Sequence, residues 1–400
     1  MLRRSLPLCK KKKRRRNVVL PLDLVIEILN RLPAKSVARF LLVSKSWGKI
    51  ICSKSFIRSF PFQSLTQPLS LLIAFQYQGR HKSNLHCFFF SSSSSLSSSS
   101  ISTSFLSRIG RPALSHYLSW YPIYYVNGLT NTGRIISNPC TGKSITLPRL
   151  VKTGKEQRLT RRFFGYDPVN DQYKLLCMSR GRNLGGQATT LPWYNDFHVF
   201  TLGAKPWRRI GCGIPHTPES NGLCIDGFVY YIAHTDRGMR LMRFSLNSEV
   251  FDIFASVSEE LRPLVNQDNG SRFLINYHGK VATAVQPIST VALVELFVFE
   301  EGLHDFKEMT IRNLPRLNLR MKGIINRTGD IMFALKCDTA DACAFRYDPK
   351  GGSFTKMEIE VDTSDMMVVS EFNLAPHYFV GYVESLRASQ LSEKNSKYFS

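Results

Sequence analysis

Residues 20–56 read LPLDLVIEILNRLPAKSVARFLLVSKSWGKIICSKSF, and their periodicity is helical with two interruptions. Leu22, Val25, Ile26, Leu29 and Leu32 recur at three- and four-residue steps, the apolar stripe of an amphipathic helix. Pro21 falls at a first-turn position, where no amide donor is needed. Pro33 ends the helix, because its ring clashes with the preceding turn and it cannot donate a hydrogen bond. A second run puts Val37, Phe40 and Leu41 on one face, and a third does the same for Val43, Trp47, Ile50 and Ile51, with Ser44 as the cap between them. The spacing therefore predicts three short helices. Together they carry more large apolar residues than one small core can hide, so part of that surface belongs to a partner.

The rest of the chain is composed differently. Its 400 residues suit one small unit and one large one, and a hydrophobic content of 43% supports a sizeable core. The nine cysteines (Cys9, Cys52, Cys87, Cys140, Cys177, Cys212, Cys224, Cys337 and Cys343) are scattered without a C-x-x-C pair, the pattern of reduced intracellular thiols. The net charge of +23 is uneven: residues 1–16 hold nine basic side chains and no acid. Lys10, Lys11, Lys12, Lys13, Arg14, Arg15 and Arg16 form an unbroken run that repels itself, so residues 1–17 are expected to be a disordered tail. Such a run reads equally as a nuclear localisation signal and as a solvated tail. No apolar stretch reaches the eighteen or so residues of a membrane helix, and no secretory leader is evident, so the expected location is nucleus, cytoplasm or both.

Beyond Phe60 the stretch Pro68–Phe75 (PLSLLIAF) reads as a buried strand. Residues 91–104 are almost all serine and are expected to be a loop between strands. From Arg134 onward hairpins recur. RIISNPCTGKSITLP, FGYDPVNDQYKLLCM, FHVFTLGAKPWRRI, LMRFSLNSEVFDIF, LFVFEEGLHDFKEMTI and AFRYDPKGGSFTKMEIE each place turn residues between β-branched and aromatic runs. The last three each follow another hairpin, turning at Asp226-Gly227, His278-Gly279 or Thr328-Gly329-Asp330. Two hairpins make a four-stranded sheet, and a repeat of about 45 to 50 residues is that of propeller blades. The fold class is thus α+β and multidomain: three helices over residues 18–60, an all-β propeller-like domain over 61–385, and a polar tail over 386–400.

Two sets of residues also carry a family resemblance. Leu20-Pro21, Asp23-Leu24, Glu27-Ile28-Leu29, Arg31-Leu32-Pro33, Lys35-Ser36, Arg39-Phe40, Val43-Ser44-Lys45 and Trp47 resemble the F-box of the large plant F-box families. Phe164-Gly165-Tyr166-Asp167-Pro168, the run from Asp171 to Met178, Thr201-Leu202-Gly203, Trp207-Arg208 and the run from Ile275 to Lys280 are similar to the type 3 F-box-associated domain, a kelch-like propeller. The sequence departs from that pattern at Val126-Asn127-Gly128-Leu129, where the family's usual tryptophan is missing. The resemblance implies binding to the Skp-type adaptor of a cullin-RING (SCF) ubiquitin ligase, with the propeller holding a protein target. It places Leu20, Pro21, Ile28, Leu32, Pro33, Val37, Val43 and Trp47 on the adaptor side.

Enzyme chemistry finds no support in the sequence. Gly142-Lys143-Ser144 ends like a phosphate-binding loop, but Ser137 stands where its first glycine would be, so a turn is expected. Gly181–Gly186 lacks dinucleotide-loop spacing, and no histidines pair as H-x-x-x-H. No nucleophile–base spacing is recognisable. The expectation is a non-catalytic subunit with no cofactor and no metal. A basic nucleic-acid-binding propeller is the alternative, with Arg161-Arg162 beside Phe163-Phe164 and Arg208-Arg209 beside Trp207 as its faint candidates; charges blunting strand edges explain them better, so nucleic acid is not an expected partner.

Overall fold

The structure, a computed structural model, describes residues 20–60, 70–78, 84–92, 100–112, 122–148, 150, 160–179, 194, 196–204, 206–262, 273–286, 292–316, 319–325, 328–335, 343–361 and 376–387. The basic run Lys10–Arg16 lies outside them, as does Gly181–Gly186.

The N-terminal unit has four helices instead of the expected three: α1 (Leu22–Asn30), α2 (Ala34–Phe40), α3 (Lys45–Ile51) and α4 (Lys54–Ser59). Ser44 caps α3 as expected, its Oγ accepting from Trp47 N at 3.2 Å. Ser53 Oγ does the same for Phe56 N at 3.3 Å, starting a six-residue helix too short to show an apolar period. Phe56 and Ile57 of α4 join Val25, Leu29, Ala34, Val37, Ile51 and Phe60 in one core. Leu22, expected on the inner stripe of α1, points outward instead.

The β domain opens with a three-stranded meander, β1 (Ser70–Gln78), β2 (Asn84–Ser92) and β3 (Ser100–Pro112). The serine-rich stretch is therefore strand at both ends. Ser91 and Ser92 are buried, and Ser92 Oγ accepts from Leu71 N at 2.8 Å. The ladder satisfies the backbone there, so small polar side chains are tolerated; residues 93–99 lie outside the described residues.

Antiparallel blades follow in chain order, each of four strands except the third, which has five. The first contains β4 (Ile123–Val126), β5 (Leu129–Thr132), β6 (Ile135–Ser137) and β7 (Ser144–Thr146), complete despite the missing tryptophan. The second contains β8 (Thr160–Asp167), β9 (Gln172–Ser179), β10 (Asp196–Thr201) and β11 (Arg208–Ile210). In the third, β12 (His216–Pro218) and β13 (Leu223–Ile225) share one edge of β14 (Phe228–Thr235), followed by β15 (Gly238–Ser245) and β16 (Phe251–Ser256). The fourth contains β17 (Leu274–Tyr277), β18 (Lys280–Val285), β19 (Leu293–Phe299) and β20 (Asp305–Arg312). In the fifth, β21 (Leu319–Ile325), β22 (Asp330–Leu335), β23 (Cys343–Asp348) and β24 (Ser353–Glu360) pair antiparallel, and β24 also pairs parallel with β3, which joins this blade to the opening meander. Finally β25 (Pro376–Tyr382) pairs with β1, three hundred residues upstream, and completes the opening meander as a sixth blade.

The blades close into a ring. Inner strands β4, β8, β13, β17, β21 and β25 pack side by side in that order. Tyr125 shuts the circle against Phe379 and Tyr382, at ring distances of 5.9 and 5.6 Å. Each of the six seams between neighbouring blades has its own apolar cluster. Middle strands are therefore buried on both faces, which is why β9 reads QYKLLCMS without apolar alternation. Close approach needs Gly222, where a Cβ would sit 2.4 Å from Phe163 Cδ1.

Candidate adaptor-binding site

The helical unit is apolar on two sides. Val25 and Leu29 face its core, and the i, i+4 series Leu20, Leu24, Ile28 runs along α1 with 44 to 47% exposure. Leu42 (91% exposed) and Val43 extend the exposed apolar surface from the α2–α3 turn. Of the residues assigned to the adaptor, Leu20, Pro21, Ile28, Pro33 and Val43 are exposed. Leu32 and Trp47 are half-buried against the core, where Trp47 packs on Phe40 at 4.9 Å between ring centroids. Val37 is wholly buried and serves packing, not contact, because the stripe it occupies on α2 is the inner one. The exposed Leu24 and Leu42 are not among the residues the resemblance assigns, although the Leu20, Leu24, Ile28 spacing is visible in the sequence as a second stripe offset from the first.

This unit is not free-standing. Its core includes Cys140 from the β6–β7 turn and Leu386 from the segment after β25, both essentially inaccessible to solvent. Residues 386 and 387, expected in a polar tail, are thus structural. Helix α2 begins at Pro33, which has no side-chain cap to offer; Glu384 Oε2 accepts from Ala34 N at 2.6 Å and takes that role. Burial raises the Glu384 carboxyl above its ordinary range, while the Ala34 amide and the Cys140 thiol pull it back. Burial, followed by the neighbouring Glu384, pushes the Cys140 thiol up to about 12.

Asp171, in the β8–β9 turn, ties three parts of the chain together. It accepts from Arg58 of α4 at 2.6 Å, from Tyr166 Oη at 2.6 Å, and from Arg387. Burial alone would raise its carboxyl, but these donors outweigh that and hold it at about 2. Arg387 also lies over the Tyr166 ring at 4.9 Å. The connecting segment is pinned further by Val383 N to Tyr125 Oη at 2.9 Å and by Asn138 Nδ2 to Ser385 O at 2.5 Å. Ser385 packs so tightly on the Asn127-Gly128 turn that a Cβ at Gly128 (φ 88°) would lie 2.2 Å from its own.

The other motifs resolve simply. Gly142 lies in the β6–β7 turn (φ 70°), whose Cys140 and Thr141 amides bond Asn138 Oδ1, so no phosphate cradle forms. Phe163 and Phe164 are buried in seams, and Trp207 packs on Phe200 while donating to Pro148 O at 3.0 Å. None of the three offers a stacking platform for a base. Among the described residues no group of three or more His, Cys, Asp or Glu is arranged to hold a metal, and no helix is long and apolar enough to cross a membrane.

A helical docking unit fixed to a six-bladed ring is the build of a receptor subunit, and sequence comparison agrees. Residues 19–59 match the F-box domain, and residues 70–383 match the F-box associated beta propeller domain. The chain belongs to the F-box proteins that carry this associated propeller. Three F-box proteins of Arabidopsis thaliana are similar to it. One is 39% identical over 361 residues, covering 85% of this chain and 77% of the relative. A second is 38% identical over 383 residues (90% and 91% covered), and a third 41% identical over 340 residues (79% and 88% covered). Among solved structures, prolyl oligopeptidase B from Galerina marginata aligns at 9% identity with a TM-score of 0.35, over 78% of this chain and 41% of that one. That likeness carries no argument about activity.

Proposed function

We propose that this chain is the substrate receptor of an SCF-type cullin-RING ubiquitin ligase, with the exposed face of α1 and the α2–α3 turn seated on a Skp-type adaptor. The observation that carries this reading is the solvent-exposed series Leu20, Leu24, Ile28, which continues from the residue before α1 along a face beside its buried Val25, Leu29 stripe. The mechanism is proximity: holding a target lysine near a charged ubiquitin carrier raises its effective concentration, and no side chain of this chain needs to do chemistry.

In a meander, successive connections alternate between the two ends of the strands. The helical unit sits on the β6–β7 and β8–β9 turns. Among the described connections, β5–β6 and β14–β15 therefore present at the other end, and that end is the surface we assign to the target.

Co-precipitation with the adaptor tests the first assignment. Ile28→Asp, and Leu20→Ala with Pro21→Ala, are expected to reduce adaptor capture at least tenfold without lowering the melting temperature. Unchanged capture by both variants overturns the reading. Proteins recovered by mass spectrometry on the adaptor-blind variant should include the target in excess over the wild type. For Lys10–Arg16 we propose nuclear import; a tagged chain lacking residues 1–16 that is still fully nuclear refutes it.

A further inference from the structure

At the rim of the ring, the end of β16 crosses to the β19–β20 turn of the next blade. Ser256 N bonds Leu303 O at 2.9 Å, and Gly302 N bonds Phe254 O at 2.8 Å. Beside this crossing lies an open groove of about 450 Å³ lined by Arg237, Arg240, Val257, Ser258, Arg262 and His304, with Glu259 at its edge. Three guanidinium groups facing one groove is an expensive arrangement for packing alone, because like charges brought together repel unless an anion sits between them.

Two of the groups come close to the same glycine. Gly238 has no side chain, and a Cβ built there would lie 3.8 Å from Arg262 Nη2 and 3.9 Å from Arg240 Nη1. Gly238, at φ 92°, therefore borders both guanidiniums. Among the described residues, Arg237 and Arg240 have no carboxylate partner; the one side-chain bond recorded for Arg240 is to Met239 O at 2.9 Å. Arg262 is held by Glu259 at 2.7 Å, yet its Nε is buried without an acceptor. That Glu259 side chain is 83% exposed, so solvent weakens its neutralising effect.

The floor is preformed. Asp305 accepts from both Ser258 N and Ser258 Oγ at 2.6 Å. Ser258 in turn accepts from Leu261 N at 3.1 Å through Oγ and from Arg262 N at 3.0 Å through its carbonyl, which fixes the turn that carries Arg262. Asp305 is therefore hydrogen-bonded to Ser258, and among the described residues it makes no ion pair with the three arginines.

We propose that this groove is an anion subsite that takes a phosphorylated side chain of the target protein. Of the three arginines only Arg262 has an ion-pair partner among the described residues, which leaves the Arg237 and Arg240 guanidiniums for an anion, and a phosphate carries close to two negative charges with three acceptor oxygens. No aromatic side chain lines the groove and the cations form a cluster, not a track, which fits a single phosphate better than a nucleic-acid backbone. The subsite deepens the receptor reading and rests on it.

The test uses full-length protein co-purified with adaptor, and fluorescence anisotropy with three degenerate peptide pools whose fixed central residue is phosphoserine, serine or glutamate. The phosphoserine pool should bind at least tenfold more tightly than the serine pool. That preference should fall about tenfold in Arg240→Gln and vanish in Arg237→Gln with Arg262→Gln. Glu259→Gln, which releases Arg262 from its acid, should tighten the phosphoserine pool two- to fivefold, an effect no unfolding variant produces. Equal binding of phosphoserine and serine pools overturns the proposal, as does a preference that survives removal of the arginines. Equal binding of the glutamate pool overturns the assignment to phosphate, and displacement of the peptide by single-stranded DNA at lower concentration than by inorganic phosphate overturns the assignment to a protein. Adaptor retention is read in the same sample, so failure of the receptor reading shows as lost adaptor and failure of the subsite as lost phosphate preference.

Discussion

The helical unit and the ring solve the problem of small cores in opposite ways. Every seam of the ring is sealed by its own neighbours, so each blade buries its faces on two similar blades. The four helices lack such neighbours. They complete their core with Cys140 and Leu386 and their α2 cap with Glu384, all from the β domain or the segment that leaves it. The contrast teaches that the docking unit keeps one apolar face free only because its other deficits are met from outside. An isolated F-box segment of this chain is not the same object as the F-box in the whole protein.

The sharpest way to break this dependence is Leu386→Ala, which should destabilise the helical unit by about 3 kcal/mol while leaving the ring intact. Hydrogen exchange in residues 22–59 should rise by two orders of magnitude with no change in the blades, and exchange that rises equally everywhere contradicts the division. On the ring side, Lys174 of β9 is buried and reaches Glu249 at 2.9 Å and Leu246 O at 2.5 Å across a seam. Lys174→Ala leaves Glu249 with Arg208 alone and should cost about 2–3 kcal/mol, read as a lower global melting temperature with adaptor capture unchanged in the folded fraction.

Glu384→Gln, which keeps an acceptor but removes the charge at the start of α2, should cost about 1 kcal/mol and appear as faster exchange in α2 before any other helix. The Asp171 linkage gives a pH signature. Its carboxyl is held at about 2 against an ordinary 3.8, so its contribution is complete above about pH 4 and is lost as pH falls towards 2. Acid should therefore loosen α4 from the β8–β9 turn over that window in the wild type and not in Asp171→Asn. Arg58→Ala is the mildest test: its side chain is more than half exposed, so the loss should stay below about 1 kcal/mol.

Much of this was legible in sequence because it is local. The hairpins whose turns are Asp226-Gly227 and His278-Gly279 form with those residues at positive φ, as their turn chemistry requires. The inner stripe of α1 and the Ser44 cap were equally readable. What could not be read is what depends on long separations. Nothing near Pro376–Tyr382 shows that its partner is β1, and Glu384 looks like any acid at the end of the β domain until it is seen at the start of α2. The buried Val37 illustrates the same limit: a family pattern marks which positions matter without saying which way a side chain faces.

The closing strand also sets an order of assembly. The opening blade waits for β25, and the helices wait for Leu386, which lies four residues further on. A ribosome that has made nine-tenths of this chain has thus produced neither a closed ring nor a finished docking unit. Products of premature termination before residue 376 lack both, so the segment from β25 to Leu386 makes ring closure and the helical core conditional on translation through it.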